Sequence, residues 1–139
     1  MKYLALAGRI CFSAIFILSA PGHFTARYVG FAAQAGVPAA ALLVPLSGVI
    51  ALLGGLSIAL GYKAKLGALL LVVFLIPVTF TMHGFWAVTD PMMQQMQLAM
   101  FLKNLSMLGG ALLIAYFGSG PLSLDARRVA SAAPMNPGR

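Results

Sequence analysis

The chain has 139 residues, of which 61% are hydrophobic and 8% are charged, with a formal net charge of +7. Soluble domains are about half apolar and about a quarter charged, so this composition indicates a protein that resides in a membrane. It excludes a disordered chain and a hydrolase with paired carboxylates, and the scattered positive residues exclude nucleic acid as a partner.

Four apolar stretches follow one another in the chain, at about residues 3–20, 42–60, 66–82 and 97–117. Each is close to the roughly 20 residues that a helix needs to cross a bilayer. Because Arg9 interrupts the first stretch, we expect a retained helix rather than a cleaved signal peptide. The prediction is an all-α membrane protein: one four-transmembrane-helix bundle over residues 1–125, followed by a flexible, basic cytoplasmic tail over residues 126–139.

The connection between the first two stretches predicts a short interfacial helix. Its apolar and polar side chains separate onto two faces, with Phe24, Tyr28, Phe31 and Ala35 on one and His23, Arg27 and Gln34 on the other. Such a helix lies in the plane of the membrane surface. We expect it to cap the bundle rather than to act as a substrate lid.

The fourth stretch has a recognisable helix start, because Asp90 is a favourable N-cap and Pro91 suits the first helical position. The basic residues then define the orientation. In a four-span arrangement one side holds Lys2, Lys63, Lys65, Arg127, Arg128 and Arg139, whereas Arg27 lies in a loop on the other. By the positive-inside rule both termini are cytoplasmic, and Asp90, His23 and Arg27 lie at the outer interface.

Small residues recur every four positions along the second stretch, at Ser47, Ala51, Gly55 and Ala59. In lipid such a face lets another helix approach closely. We expect it to serve packing within the bundle, and a homodimer contact is the alternative.

Two charges fall inside the spans, Arg9 and Lys103. A charge near the middle of a span costs about 2.5–3.5 kcal/mol on insertion scales, so each marks a candidate functional position. Arg9 either extends to the cytoplasmic surface or has a buried role. Lys103 either extends outward or meets Asp90 or His83, and Asn104 beside it favours hydrogen bonds between helices.

The chemistry-bearing residues near the outer side suggest a pocket. His83, Trp86, Gln97, Lys103 and Asn104 offer hydrogen-bonding groups and an aromatic wall, which suits a quinone or another small molecule. For His23 and His83 we expect hydrogen bonds rather than haem or metal ligation, since no metal-ligand spacing is present. The single cysteine, Cys11, predicts a buried structural thiol.

Several short motifs resemble the DoxX family, and together they cover about residues 5–128. They are Gly8-Arg9-Ile10 with Phe12 and Phe16, Gly22-His23-Phe24, Ser47-Gly48, Leu53-Gly54-Gly55-Leu56 with Gly61, Phe101-Leu102-Lys103-Asn104-Leu105 with Gly109-Gly110, and Gly120-Pro121-Leu122-Ser123-Leu124-Asp125. The resemblance implies a small four-helix protein of the bacterial inner membrane that is tied to quinone-linked redox processes or oxidative stress. One departure is Ala51, where members of that family often carry Glu.

Two functions follow as hypotheses. The first is a redox-associated membrane component that binds quinone and acts with other membrane or redox proteins. The second is a non-catalytic scaffold or transporter-like subunit for a small molecule, which functions in the lipid bilayer with partners or as a homo-oligomer. The sequence leaves open whether any reaction is catalysed.

Overall fold

The computed structural model describes residues 1–132, and over that range it consists of helices and their connections. The α-helices are α1 (Lys2–Ser19), α2 (Ala26–Gln34), α3 (Ala40–Leu60), α4 (Ala64–Met82), α5 (Pro91–Phe117) and α6 (Leu124–Ala132), with 3-10 turns at Ala20–Phe24 and Phe85–Ala87. The segments containing α1, α3, α4 and α5 are long and apolar enough to cross a membrane. The predicted all-α architecture with four spans is therefore confirmed.

The long helices pack in the order α1, α3, α4, α5, each against its neighbour in this row. Two ends can be distinguished. The terminal end holds the start of α1, the turn between α3 and α4, and α6, whereas the loop end holds α2, the turn Phe85–Ala87 and the start of α5. α1 and α5 also meet, since a Cβ atom on Gly110 would lie 2.7 Å from the ring of Phe12.

Small residues of α3 allow close helix packing on two sides. A Cβ atom on Gly55 would lie 3.2 Å from the Cβ of Phe16 in α1, and one on Gly54 would lie 2.9 Å from the carbonyl oxygen of Gly67 in α4. Ala51 is fully buried in the same core. Close backbone approach gains dispersion contacts where no hydrophobic driving force exists between helices in lipid. In this structure the Ala51–Gly55 part of the small-residue face is turned toward the interior of the bundle.

Large apolar side chains lie mostly on the outside of the bundle. Leu18, Leu53, Val73 and Leu113 are among the many that are more than half exposed. The polar-outside pattern of a soluble protein is absent from the described residues, and an exterior of this kind suits contact with lipid tails. The protein is thus a multi-pass membrane protein.

The helix ends show how local chemistry sets the boundaries. The carboxylate of Asp90 accepts a 2.8 Å hydrogen bond from the backbone N–H of Met93, and Pro91 opens α5, so this predicted start is confirmed. The segment between α1 and α3 contains α2, whose N-cap is Thr25. Beyond α5 the expected tail begins as α6, and its last part, residues 133–139, lies outside the described residues.

Candidate functional site

A cavity of about 1000 Å³ lies within the loop-end half of the bundle. Its walls come from the end of α1, from α2, and from the facing parts of α3, α4 and α5, and most of them are apolar. Below it, toward the terminal end, Phe12 and Gly110 bring α1 and α5 together. Ligand sites of small molecules usually have volumes of about 300–1000 Å³, with a few polar groups in apolar walls. The size and lining of this cavity make it a candidate binding site.

Two histidines line the cavity, each held by one hydrogen bond. His23 Nδ1 lies 2.9 Å from Ser47 Oγ, and His83 Nδ1 lies 2.8 Å from Gln97 Oε1. The Ser47 hydroxyl donates to the carbonyl oxygen of Val44, so it accepts from His23. Because amide oxygens only accept, His83 donates to Gln97 in the same way. The histidines are thus oriented by helix-borne partners, and their Nε2 atoms are the polar atoms that remain for a ligand.

Lys103 and Asn104 lie on the α5 wall of the same cavity. Lys103 is exposed, and its ammonium group contacts the sulfur of Met100 at 3.4 Å. Asn104 is only 4% exposed, and its amide forms no side-chain hydrogen bond with another described residue. The enclosed, unpaired side-chain atoms of the described residues are those of Arg9 and do not include the Asn104 amide. The amide therefore reaches the open space of the cavity, where a polar ligand group could bond with it.

Of the five residues predicted to form a pocket, the structure brings four to this cavity, and Trp86 is elsewhere. The indole stacks in an aromatic cluster with Phe80, Phe85 and Phe101, at ring-centroid distances of 5.2–6.4 Å. Edge-to-face aromatic pairs are favourable in themselves, which explains why Trp86 packs against the 3-10 turn instead of forming a cavity wall. Arg27 also lies outside the cavity lining, with its guanidinium over the ring of Phe31.

Arg9, the other charge within a span, serves the terminal end of the bundle. It is 4% exposed, and its Nη2 donates a 2.7 Å hydrogen bond to the carbonyl oxygen of Leu122, which follows α5. Gly61 gives it room, because any Cβ there would collide with the guanidinium. The Nε and Nη1 groups have no partner among the described residues. Arg9 therefore joins the first helix to the segment after the last span.

Asp125 forms a second connection between the segment after α5 and the bundle. Its carboxylate accepts hydrogen bonds from the backbone N–H groups of Lys63 at 2.8 Å and Ala64 at 3.2 Å, at the N-terminus of α4. Partial burial raises the pKa of Asp125, but these donors and the charge of Arg128 outweigh that effect, and the pKa lies below its ordinary value. The N-terminus of a helix also stabilises a negative charge, and this too lowers the pKa of Asp125.

The described residues contain no group of three or more His, Cys, Asp or Glu side chains that could hold a metal ion. Cys11 is exposed on α1, so the expectation of a buried thiol was wrong. Its place on the outward face of α1, rather than among the core residues, is the reason.

The comparisons with known proteins decide the family. The model of the SURF4 family matches residues 1–130, nearly the whole chain. The chain belongs to the SURF4 family. Among its relatives, this SURF4-family protein is 32% identical over 123 residues to the inner membrane protein YqjF of Escherichia coli, which covers 86% of the chain and 88% of YqjF.

A second relative is the ER-derived vesicles protein ERV29 of Saccharomyces cerevisiae, 30% identical over 80 residues. This match covers 58% of the SURF4-family chain but only 26% of the yeast protein, so the chain spans about a quarter of that relative. No solved structure matches the chain.

The resemblance to the DoxX family was wrong, because the matching family model is that of SURF4. The residues behind the resemblance perform general structural tasks. Gly54 and Gly55 let helices approach, and Arg9, Gly61 and Leu122 join the terminal end. Small helix bundles in lipid share such needs, so these motifs discriminate poorly between families. The redox and oxidative-stress expectations came with that resemblance and lose their support, as does the significance of Ala51. The quinone expectation loses the support of the family and rests only on the pocket residues.

Sequence reasoning missed part of the polar lining of the SURF4-family cavity. Ser47 was assigned only to helix packing, whereas it holds His23, and His23 was assigned to the outer surface, whereas it is half-buried. Ser47 lies four residues before a buried alanine, so its hydroxyl could be expected to face the interior and to need a hydrogen-bond partner. The sequence did not identify that partner, His23, which lies 24 residues away in the chain.

Proposed function

We propose that this SURF4-family protein is a non-enzymatic, transporter-like membrane protein that holds an amphipathic small molecule in the cavity between its helices. The observation that carries the proposal is the cavity itself, about 1000 Å³ of mostly apolar wall with Asn104 buried and unpaired in it. An apolar ligand body gains from leaving water or lipid headgroups, and a polar group on it satisfies the amide.

The surroundings of the cavity support entry from the membrane. Leu43, Leu46 and Val73 line the cavity and are also between 40% and 63% exposed. These side chains lie on the spans α3 and α4, whose outer faces suit lipid tails. We therefore expect a ligand dissolved in the bilayer to enter between these helices without crossing the aqueous phase.

The location of the protein is part of the same proposal. The relative from E. coli is an inner membrane protein, and the basic residues favour cytoplasmic termini, so we place the chain in a bacterial inner membrane with its terminal end in the cytoplasm. The cavity then lies in the outer half of the bilayer. The neighbouring lipids supply the ligand or receive it.

The test is to identify what the purified protein retains. The chain is isolated in a mild non-ionic detergent, and bound molecules are detected by native mass spectrometry and by analysis of an organic extract. Val78 lines the cavity from α4, whereas Ile76, on the same helix, is exposed and outside the lining. We expect V78W to fill the cavity and lose the bound molecule, and I76W to keep it.

Equal retention by both variants, or a wild-type protein that carries nothing beyond detergent, contradicts the proposal. A stoichiometric quinone that is lost in V78W replaces it with the redox-linked alternative. Size-exclusion chromatography and circular dichroism establish that both variants are folded before the comparison is made.

A further inference from the structure

The charge distribution of the cavity narrows the class of ligand, and the argument rests on the proposed function. Of the described lining residues, Lys103 is the one lysine or arginine, and none is acidic. The remaining polar side chains are hydroxyls, amides and the two histidines. The cavity therefore offers a positive electrostatic environment with no carboxylate to oppose it.

Lys103 has no counter-ion among residues 1–132, the part of the chain that the structure describes. The whole chain contains two acidic side chains, Asp90 and Asp125. Asp90 caps the start of α5, and Asp125 lies at the start of α4 at the terminal end. The one recorded contact of the Lys103 ammonium group is the sulfur of Met100, a weak acceptor.

Lys103 also lies far from both ends of α5. It lies 12 positions after Pro91 and 14 before Phe117 in α5. At 1.5 Å per residue these are about 18 and 21 Å along the helix, so Lys103 lies near the middle of α5. A charge within a membrane span is costly unless a partner or a polar cavity receives it.

Asn104 supplies a second donor beside it. The residue is 4% exposed, lines the cavity, and its amide has no hydrogen-bond partner among the described residues. Both side chains line the cavity from α5, and both carry N–H donors that suit the oxygens of an anionic head group. Hydrogen bonds to charged groups are stronger than those between neutral ones. The apolar walls match a hydrocarbon tail.

We propose that the cavity binds an anionic amphiphile, with its negative head group between Lys103 and Asn104 and its hydrocarbon portion along the apolar walls of α3 and α4. A carboxylate such as that of a free fatty acid and the phosphate of an anionic lipid share this chemistry.

The test compares probes that share a twelve-carbon chain and differ in head group: dodecanoate, dodecanol and dodecyltrimethylammonium. Complexes with the purified full-length protein are counted by native mass spectrometry in non-ionic detergent. We expect dodecanoate to bind about tenfold or more tightly than the other two, the ratio that one charge-assisted contact provides.

Phosphatidylglycerol is then added as a competitor, with phosphatidylcholine as the control lipid that has no net charge. If phosphatidylglycerol displaces dodecanoate and phosphatidylcholine does not, the natural ligand is an anionic lipid. If neither lipid displaces dodecanoate, the natural ligand is a free carboxylate.

Three variants assign the effect to the site. K103M should reduce dodecanoate binding about tenfold and leave dodecanol unchanged, whereas K103R should retain the preference for the anion. K2M removes one charge at the terminal end, where Lys2 is exposed and outside the cavity, and should behave as wild type. K103R also reports on folding, since it keeps both the charge and the side-chain length.

The outcomes separate this inference from the proposed function. If all three probes bind equally and V78W abolishes their binding, the cavity is a binding site but its preference for anions is refuted. The same holds if K103M keeps the full preference for dodecanoate. If no probe binds, or V78W binds them as wild type does, both proposals fail.

Discussion

Replacement of Asp125 by alanine tests how the C-terminal segment is held to the bundle. The carboxylate accepts hydrogen bonds from two backbone N–H groups, those of Lys63 and Ala64, 62 and 61 residues earlier in the chain. It therefore caps α4 from outside that helix, while the backbone N–H of Asp125 donates to the carbonyl oxygen of Gly61 at 2.8 Å. Loss of the side chain should weaken α4 and release the segment after α5 together.

The magnitude follows from these contacts. Removal of a helix N-cap costs about 0.5–2 kcal/mol, and a hydrogen bond to a charged group contributes about 1.5–3 kcal/mol when it is well shielded. Because Asp125 is partly exposed, we expect D125A to lower the free energy of unfolding by about 1–3 kcal/mol. Asp90 is the matched control, because it caps α5 locally at the other end and contacts no distant segment.

The assay combines denaturant unfolding with limited proteolysis. D125A and D90A should both lose stability, but only D125A should become rapidly cleaved between residues 118 and 132. The depressed pKa of Asp125 adds a pH dependence. The ionised Asp125 carboxylate contributes fully to stability at a pH above its unfolded pKa of about 3.9. This contribution is lost as the pH falls through the lower pKa of the folded state. A D125A protein with wild-type stability and wild-type cleavage at neutral pH would refute the reasoning.

Two further predictions concern the backbone and the topology. Gly61 has a φ of +63° and faces the Arg9 guanidinium, so G61A should lower the free energy of unfolding by about 1–3 kcal/mol or more, measured with a denaturant. Gly109 lies in open space within α5, so G109A should leave the stability unchanged or raise it slightly. In a cysteine-free background made by C11S, a cysteine at Gln34 should react with a membrane-impermeant maleimide added outside intact cells, and one at Lys63 should react only after the cells are opened. The reverse labelling pattern, or G61A and G109A of equal stability, would contradict the respective prediction.

Local chemistry predicted much of the fold. The four spans follow from hydrophobic length, and the start of α5 follows from Asp90 and Pro91, because a cap and its helix are neighbours in sequence. The contact of Arg9 with Leu122 is different, since 113 positions separate the two residues. A single sequence shows that a charge in a span needs a partner, but not which carbonyl supplies it.

The sequence predicted those parts of the cavity that come from residues close together in the chain. His83 and Gln97 are 14 residues apart across one turn, so neighbouring helices bring them together, and the spacing of polar residues pointed to them. His23 and Ser47 pair across the α2 segment, whose path the sequence left undefined. Trp86 was misplaced because an aromatic ring at a helix end has two favourable environments, a cavity wall and a stacked cluster, and only the packing of Phe80 and Phe101 decides between them.

The most direct test of the central claim is an experimental structure of the wild-type chain, isolated from its native membrane and crystallised in a lipid phase. We predict elongated density in the cavity, with its polar end within hydrogen-bonding distance of Asn104 and Lys103 and its tail between α3 and α4. A cavity that contains only water, or side chains that close it, at a resolution that defines the Asn104 amide would contradict the account.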